Sequence, residues 1–201
     1  MEKKYFFFDI DGTLTDRSTG KIVPSAREAL DRLEANGHFV AIATGRAHYK
    51  ARKFTGANGF KNMVCCGGNG CVINNELVEN IPLDKEGCLQ IIHQSEELGY
   101  GWCVALDDTK DVYMTDDKFL RQVGKRKEPT RYIIDDMLDI DSVDAIYKIY
   151  VAIPKEEEEN LTKKKLIGHL RFEPEYLMFQ PDNKRGGIVK MMEYLGADIK
   201  N

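Results

Sequence analysis

The sequence has no apolar run long enough to cross a bilayer, so its pattern gives no indication of a transmembrane protein. Its first residues, MEKKYFFFDIDG, lack the long apolar segment and the small-residue cleavage site of a signal peptide. The formal net charge is only −4, which argues against a surface built to bind nucleic acid or anionic lipid. These absences predict a cytoplasmic protein whose partners are neither nucleic acid nor a membrane.

Cysteine occurs in a number and spacing that favour neither disulfides nor a metal centre. Five cysteines among 201 residues is an odd count, and in the absence of a signal peptide it favours reduced thiols. The C-x-x-C spacing of a zinc site does not occur. Cys65 and Cys66 are adjacent in an apolar run, so in a strand they would point to opposite faces. We therefore interpret the cysteines as small buried residues rather than as metal ligands.

The first third of the chain alternates between strand and helix patterns. Apolar runs predict strands at Tyr5–Phe8, Phe39–Ala43 and 63–66, the first of them buried on both faces as in the middle of a parallel sheet. Amphipathic stretches predict helices at 24–37 and 47–54 between these strands. The order β-α-β-α-β implies an α/β fold with a parallel sheet and right-handed crossovers.

The pattern changes after about residue 80 and returns near residue 182. A helix followed by two strands occurs twice between these points, which predicts a separate α+β module with an antiparallel sheet, inserted at 81–181. The core domain would then consist of 1–80 and 182–201. Within the insertion, the charge-rich stretch 155–169 predicts one solvated helix with opposite charges facing each other, rather than a binding site.

Small polar loops follow each of the three predicted parallel strands. They are Asp9-Ile10-Asp11-Gly12-Thr13, then Thr44-Gly45-Arg46, and then Gly68-Asn69-Gly70. The carboxyl ends of parallel strands meet at one edge of a sheet, where α/β proteins bind their ligands. The sequence therefore predicts a functional site at this edge.

The two carboxylates of the first loop suggest a chemistry. One of them can act as a nucleophile or metal ligand while the other transfers protons. A carboxylate that attacks phosphorus gives an aspartyl phosphate, and the anionic group in transfer requires Mg²⁺, an ammonium and hydrogen-bond donors around it. Gly12 and Thr13 offer backbone amides, Thr44 offers a hydroxyl and an amide near a helix N-terminus, and Lys184 offers a cation.

These segments together resemble the haloacid dehalogenase-like hydrolase superfamily. The motifs are DIDGTL, then ATGR, GGNG, a long insertion and NKRGGI, and the resemblance covers the whole chain. More narrowly, the chain is similar to the Cof-type phosphatases, which carry an α/β cap inserted after the third strand. The resemblance implies a Rossmann-like core with a parallel sheet and an inserted α+β cap domain.

The resemblance also implies the role of each site residue. Asp9 would be the nucleophile and a Mg²⁺ ligand, and Asp11 the general acid and base, with its backbone carbonyl also on Mg²⁺. Thr44 would hold the phosphoryl oxygens, and Lys184 would neutralise charge on the phosphoryl group and on Asp9. The residues expected to contact the substrate are Gly12, Thr13, Gly45, Arg46 and Asn69.

The function implied is that of a Mg²⁺-dependent phosphatase acting on small phosphorylated metabolites, such as sugar phosphates. The family carries a fourth motif, an acidic G-D-x-x-N-D loop, which does not occur in these 201 residues. The resemblance therefore predicts weaker Mg²⁺ binding and slower hydrolysis than with that motif present. Two alternatives remain: a phosphomutase or phosphotransferase of the same superfamily, and a catalytically impaired fragment that binds phosphorylated ligands. The sequence makes no prediction of oligomeric state.

Overall fold

The computed structural model describes residues 2–126 and 130–200, and these form two compact units. The first unit consists of 2–80 with 182–200, and the second lies within 81–181. Each unit contains one β-sheet and two clusters of buried apolar side chains. Each unit therefore has the sheet and the apolar core that a folding domain requires.

The elements follow one another in the order strand, helix, strand, helix and strand before the pattern becomes irregular. The strands are β1 Tyr5–Phe8, β2 Phe39–Ala43, β3 Met63–Cys65, β4 Gly70–Ile73, β5 Glu76–Asn80, β6 Trp102–Ala105, β7 Asp111–Met114, β8 Arg131–Ile134, β9 Lys148–Val151, β10 His169–Glu173 and β11 Tyr176–Phe179. The α-helices are α1 Pro24–Ala35, α2 His48–Ala57, α3 Lys85–Glu97, α4 Lys118–Val123 and α5 Lys184–Tyr194. Of the helices in the described ranges, none has both the length and the apolar character that crossing a membrane requires.

The sheet of the first unit has the order β1-β2-β3-β4-β5. The strands β1, β2 and β3 are parallel, with Tyr5 opposite Phe39 and Ile42 opposite Met63. Strands β4 and β5 add an antiparallel hairpin that the sequence interpretation missed. Its turn residues Asn74 and Asn75 both have positive φ, which is typical of a two-residue hairpin loop. The predicted α/β class is confirmed, although the sheet is mixed rather than wholly parallel.

Strand β1 differs from the prediction of a strand buried on both faces. It lies at one edge of the described sheet, and all four of its residues are half-buried. The Tyr5 ring contacts the ring of Phe39 on β2 at a centroid distance of 5.2 Å, and Phe6 stacks on Phe8 at 6.4 Å. Within the described residues only β2 pairs with this strand, so one backbone edge of β1 has no strand beside it there, and side chains on both of its faces are only half-buried.

The sheet of the second unit has six strands in the order β10-β11-β9-β6-β7-β8. All neighbouring strands are antiparallel except β7 and β8, which are parallel. One buried cluster includes Ile91 and Ile92 of α3, and the other includes Phe119 of α4. The sheet therefore packs apolar side chains on both of its faces.

The single helix predicted at 155–169 is wrong. The structure has two short 3₁₀ segments there, Lys155–Asn160 and Thr162–Leu166, and β10 follows. The charges do pair, because Lys164 Nζ lies 3.2 Å from Glu158 Oε1 and Arg171 Nε donates to Glu158 Oε2 at 2.9 Å. The Lys164 side chain is only 7% exposed, however, so the pairing is internal rather than on a solvated face.

The cysteines all lie in the described part of the chain, and none of them forms a disulfide. Cys65 ends β3, but Cys66 begins a 3₁₀ turn with a φ of 52°, so the two do not share a strand as predicted. Burial raises the pKa of the Cys71 thiol to about 11 and that of Cys88 to about 12. These thiols are therefore protonated at neutral pH.

Candidate active site

The predicted polar loops lie together at the carboxyl ends of β1, β2 and β3 in the first unit. Hydrogen bonds connect the second loop to the third, from Cys66 N to Arg46 O at 2.8 Å and from Gly67 N to Thr44 O at 3.3 Å. Parallel strands place their carboxyl ends along one edge of the sheet, and this gives the loops their proximity.

Asp9 and Lys184 meet although 175 residues separate them in the chain. Asp9 directly follows β1, and Lys184 is the first residue of α5. The Lys184 ammonium donates to Asp9 Oδ1 at 2.8 Å, and both side chains are partly exposed. The start of α5 is capped by Asn183, whose side-chain oxygen accepts a hydrogen bond from Gly186 N at 2.8 Å. The cap determines where the helix begins and so where Lys184 lies.

A contact between two glycines allows α5 to approach the loop after β3. A Cβ atom on Gly187 would lie 2.5 Å from the Gly68 carbonyl oxygen and 2.6 Å from Val64 Cγ1. A Cβ atom on Gly68, whose φ is +119°, would lie 2.1 Å from the Asn183 carbonyl oxygen. Any larger residue would force the helix and the loop apart. These glycines therefore permit the position from which Lys184 contacts Asp9.

Asp11 and Arg46 form a bidentate ion pair. Arg46 Nε donates to Asp11 Oδ2 at 2.8 Å, and Arg46 Nη2 donates to Oδ1 at 2.5 Å. The hydrogen bonds from Arg46 lower the pKa of the Asp11 carboxyl from its ordinary value, against the opposing effect of partial burial. Asp11 is thus a carboxylate near neutral pH, held by a planar guanidinium.

Thr44 is buried where β2 ends. Its backbone N–H donates to Val64 O at 2.9 Å and extends the β2–β3 pairing, so this amide is not available to a ligand, contrary to the prediction. Its hydroxyl oxygen accepts a hydrogen bond from Arg46 N at 3.1 Å. A hydroxyl also has one proton to donate. The side chain of Thr44 can therefore still donate to an anion.

Residue Thr15 closes the first loop and was missed by sequence reasoning. Its backbone N–H and its hydroxyl both donate to Ile10 O, at 3.1 and 2.9 Å. Within the loop, Gly12 has a φ of +77°, which favours glycine, and both Gly12 and Thr13 are exposed. The exposed amide-bearing residues thus lie beside the two carboxylates, where the sequence placed them.

Gly45 and Asn69, the other predicted substrate contacts, lie in the second and third loops and are half-buried. The Asn69 N–H donates to Cys66 O at 3.4 Å, which closes the turn after β3. The two loops that carry these residues are joined by the hydrogen bonds from Cys66 and Gly67. The structure thus brings Gly45 and Asn69 to the same sheet edge as the carboxylates.

The oxygen atoms near Asp9 suit a hard divalent cation. Lys184 occupies Asp9 Oδ1, and within the described residues no hydrogen bond reaches Asp9 Oδ2. The backbone carbonyl of Asp11 offers a second oxygen, and Mg²⁺ is typically bound by one or two carboxylates with substrate oxygens and water. No group of three or more His, Cys, Asp or Glu side chains suited to a metal occurs in the described ranges. The open Asp9 Oδ2 is compatible with a Mg²⁺ ion that takes its remaining ligands from a substrate, a backbone carbonyl and water.

Sequence signals existed for some of the residues that were missed. Asparagine is a favoured N-cap residue, and Asn183 has this role directly before α5. The Gly186-Gly187 pair inside a helix pattern indicates a close approach, but its partner is not identifiable from sequence. Nothing in the sequence indicated that Arg46 contacts Asp11.

The chain belongs to the haloacid dehalogenase-like hydrolase family, whose family model matches residues 6–201. The family predicted from the motifs is therefore confirmed, and the protein is a hydrolase. The geometry of the site had already placed the family's motifs together: two aspartates after the first strand, a threonine after the second and a lysine from the returning helix.

Several known proteins are similar to this chain. The protein YkrA of Bacillus subtilis (strain 168) is 26% identical over 202 residues, which cover 99% of this chain and 77% of YkrA. The phosphoglycolate phosphatase of Nitrosopumilus maritimus (strain SCM1) is 35% identical over 72 residues, 36% of this chain and 31% of that protein. The structure of the subclass IIB sugar phosphatase BT4131 is 20% identical, with a TM-score of 0.70 over 99% of this chain and 78% of that one.

Proposed function

We propose that this hydrolase is a phosphatase for small phosphorylated metabolites, with sugar phosphates as the first class to test. The observation that carries the proposal is the Asp9 carboxylate at the end of β1, held at 2.8 Å by the Lys184 ammonium. Similarity to a phosphoglycolate phosphatase and to a sugar phosphatase supports phosphate esters as substrates. A carboxylate beside an ammonium is suited to attack an anionic phosphoryl group, because the cation offsets the repulsion.

The proposed reaction has two displacements. Asp9 attacks phosphorus and forms an aspartyl phosphate, while the bond to the leaving oxygen breaks and that oxygen takes a proton from the neutral carboxyl form of Asp11, the minor form near neutral pH. A water molecule then attacks the phosphorus, gives a proton to Asp11 and releases inorganic phosphate, which restores Asp9. The pair with Arg46 favours the carboxylate form of Asp11, which is the form that accepts this proton.

The other site residues stabilise the phosphoryl group. Lys184 offsets charge on Asp9 and on the phosphoryl oxygens, and the Thr44 hydroxyl and the amides of Gly12 and Thr13 donate to those oxygens. The Asp9 carboxylate and the Asp11 carbonyl would hold a Mg²⁺ ion, which would supply charge neutralisation at the phosphoryl group. We also propose that the protein acts in the cytoplasm, because the odd count of five cysteines in the sequence favours a reducing compartment.

The test is release of inorganic phosphate from a panel that contains sugar phosphates and phosphoglycolate, with and without a chelator and then with added Mg²⁺. Asp9→Asn should abolish release from every substrate, because an amide is a poor nucleophile. Asp31→Asn, at an exposed aspartate of α1 paired with Arg27, is the matched control and should retain the rate. Wild-type turnover in Asp9→Asn would contradict the proposal.

The same assay separates the alternatives. Phosphate release without an added acceptor identifies hydrolysis, whereas transfer only to an added sugar or sugar phosphate identifies a phosphotransferase or phosphomutase. Binding of a phosphate mimic such as beryllium fluoride without turnover of any ester identifies a ligand-binding role.

A further inference from the structure

We propose that Arg46 is a positioning residue that orients Asp11 for proton transfer, and that it acts on catalysis through Asp11 rather than through the substrate. This inference rests on the proposed function, because it gives Arg46 a part in the task assigned to Asp11. The family motif led us to expect that Arg46 contacts the substrate. Loss of a substrate contact should weaken phosphate binding, whereas loss of a positioning residue should mainly slow turnover.

The geometry of the pair supports positioning. The two guanidinium nitrogens that face Asp11, Nε and Nη2, each donate to a different carboxylate oxygen, at 2.8 and 2.5 Å. Two parallel hydrogen bonds fix the plane and the direction of the carboxylate as well as its distance. An arginine engaged in this way cannot present the same pair of nitrogens to a phosphate without leaving Asp11.

Arg46 is itself held from three directions. Its backbone N–H donates to the hydroxyl of the buried Thr44 at 3.1 Å, and its carbonyl accepts from Cys66 N at 2.8 Å. Its guanidinium carbon lies 5.8 Å from the ring centroid of Phe54 on α2. The backbone of Arg46 is therefore fixed by Thr44 at the end of β2 and by Cys66 after β3, and its guanidinium lies against α2.

Asp11, by contrast, depends on Arg46 for the direct contacts of its carboxylate among the described residues, although the charges of Lys50 and Lys184 also act on it. Its side chain is 60% exposed, and every hydrogen bond and ion pair that its carboxylate makes there is to Arg46. The next residue, Gly12, has a positive φ and belongs to an exposed stretch of the loop. Without Arg46 the Asp11 side chain would therefore sample several rotamers, and a misplaced acid–base group contributes little to catalysis in either protonation state.

The first experiment compares Arg46→Lys with Arg52→Lys, a matched change at an exposed arginine of α2. Lysine retains the charge but lacks the two-pronged geometry. We expect Arg46→Lys to lower kcat/KM for an alkyl phosphate about tenfold or more. The loss should be smaller for p-nitrophenyl phosphate, because nitrophenolate leaves without a proton. The inhibition constant of inorganic phosphate should change less than about twofold, and Arg52→Lys should resemble wild type.

The second experiment is a double-variant comparison. If Arg46 acts through Asp11, Arg46→Lys combined with Asp11→Asn should be no slower than Asp11→Asn alone. Additive losses, or a large rise in the inhibition constant of phosphate, would overturn the positioning role and favour a direct contact with the substrate. Wild-type turnover in Asp11→Asn would instead show that the proposed role of Asp11 has failed.

A third measurement does not depend on turnover. In ¹H–¹⁵N spectra of the whole protein, the Nε–H signal of Arg46 should be protected from exchange with water in wild type and lose that protection in Asp11→Asn. The corresponding signal of the exposed Arg52 should be unaffected by the same substitution. An Arg46 signal that is equally protected in Asp11→Asn would show that other contacts fix this side chain, and the proposal would fail.

Discussion

At the residue scale, the Asp9–Lys184 contact combines opposite charges at the end of the first strand. The ammonium lies 2.8 Å from one carboxylate oxygen, and both side chains remain partly open to solvent. An exposed ion pair of this kind contributes little to folding stability. We therefore expect the Asp9–Lys184 pair to affect the reaction rate rather than the folding stability, because negative charge accumulates on the phosphoryl group beside Asp9.

Lys184→Ala should lower kcat for phosphate release by ~10²–10³, the usual cost of removing one preorganised electrostatic partner. Thermal unfolding should change little, because the pair is partly exposed. Lys190→Ala is the control, since Lys190 is on the same helix and pairs with Glu79 at 2.7 Å. A rate for Lys184→Ala equal to that of Lys190→Ala would remove Lys184 from the site.

At the element scale, α5 can pack where it does because Gly68 and Gly187 have no Cβ atom. Gly187 lies against the Gly68 carbonyl oxygen and Val64, closer than a Cβ atom permits. The helix also contributes the buried Met191 to the apolar cluster of β2, β3 and β4. The packing of α5 against the sheet and the loop after β3 therefore also fixes the position of Lys184.

Gly187→Ala should destabilise the protein by about 1–3 kcal/mol through overpacking, and should also slow turnover by moving Lys184 away from Asp9. Gly56→Ala provides a control in which the change in stability should have the opposite sign. Gly56 is exposed in α2, and a Cβ atom there would meet no other atom within 4 Å. That variant should be more stable by about 0.5–1 kcal/mol because alanine favours the helix. Denaturant unfolding measures the stability of both variants. A Gly187→Ala variant as stable and as active as wild type would show that close packing of Gly187 against Gly68 is not required.

At the scale of the whole molecule, each of the two units has its own clusters of buried apolar side chains among the described residues. The second unit is a continuous segment whose sheet has a cluster on each face. The first unit is assembled from two segments, and one of its clusters requires Met191 of α5. We propose that these units are folding domains with the boundaries expected from the sequence.

A fragment of residues 81–181 should therefore fold alone, with a cooperative thermal transition and dispersed amide signals, because about 100 residues suffice for a domain core. A fragment of 1–80 should not fold to the same extent, since it lacks α5. Adding a peptide of 182–201 should restore structure to it. A disordered 81–181 fragment would show that the second unit is not a domain.

The sequence by itself determined the alternation of β1, α1, β2, α2 and β3, and hence the sheet edge where the site lies. These features depend on apolar periodicity and on the order of elements, which are local properties of the chain. The motifs DIDGTL, ATGR, GGNG and NKRGGI also indicated the family, through their resemblance to those of the haloacid dehalogenase-like hydrolases.

Only the tertiary structure decided how distant residues are used. It showed Arg46 on Asp11, 35 residues away, and Gly187 against Gly68. It also showed Lys164 buried beside Glu158 where the charge pattern had predicted a solvated helix. Such contacts depend on which surfaces meet after the chain has folded. An arginine suited to a substrate phosphate is equally suited to a carboxylate, so its partner is determined by which of them the fold places beside it.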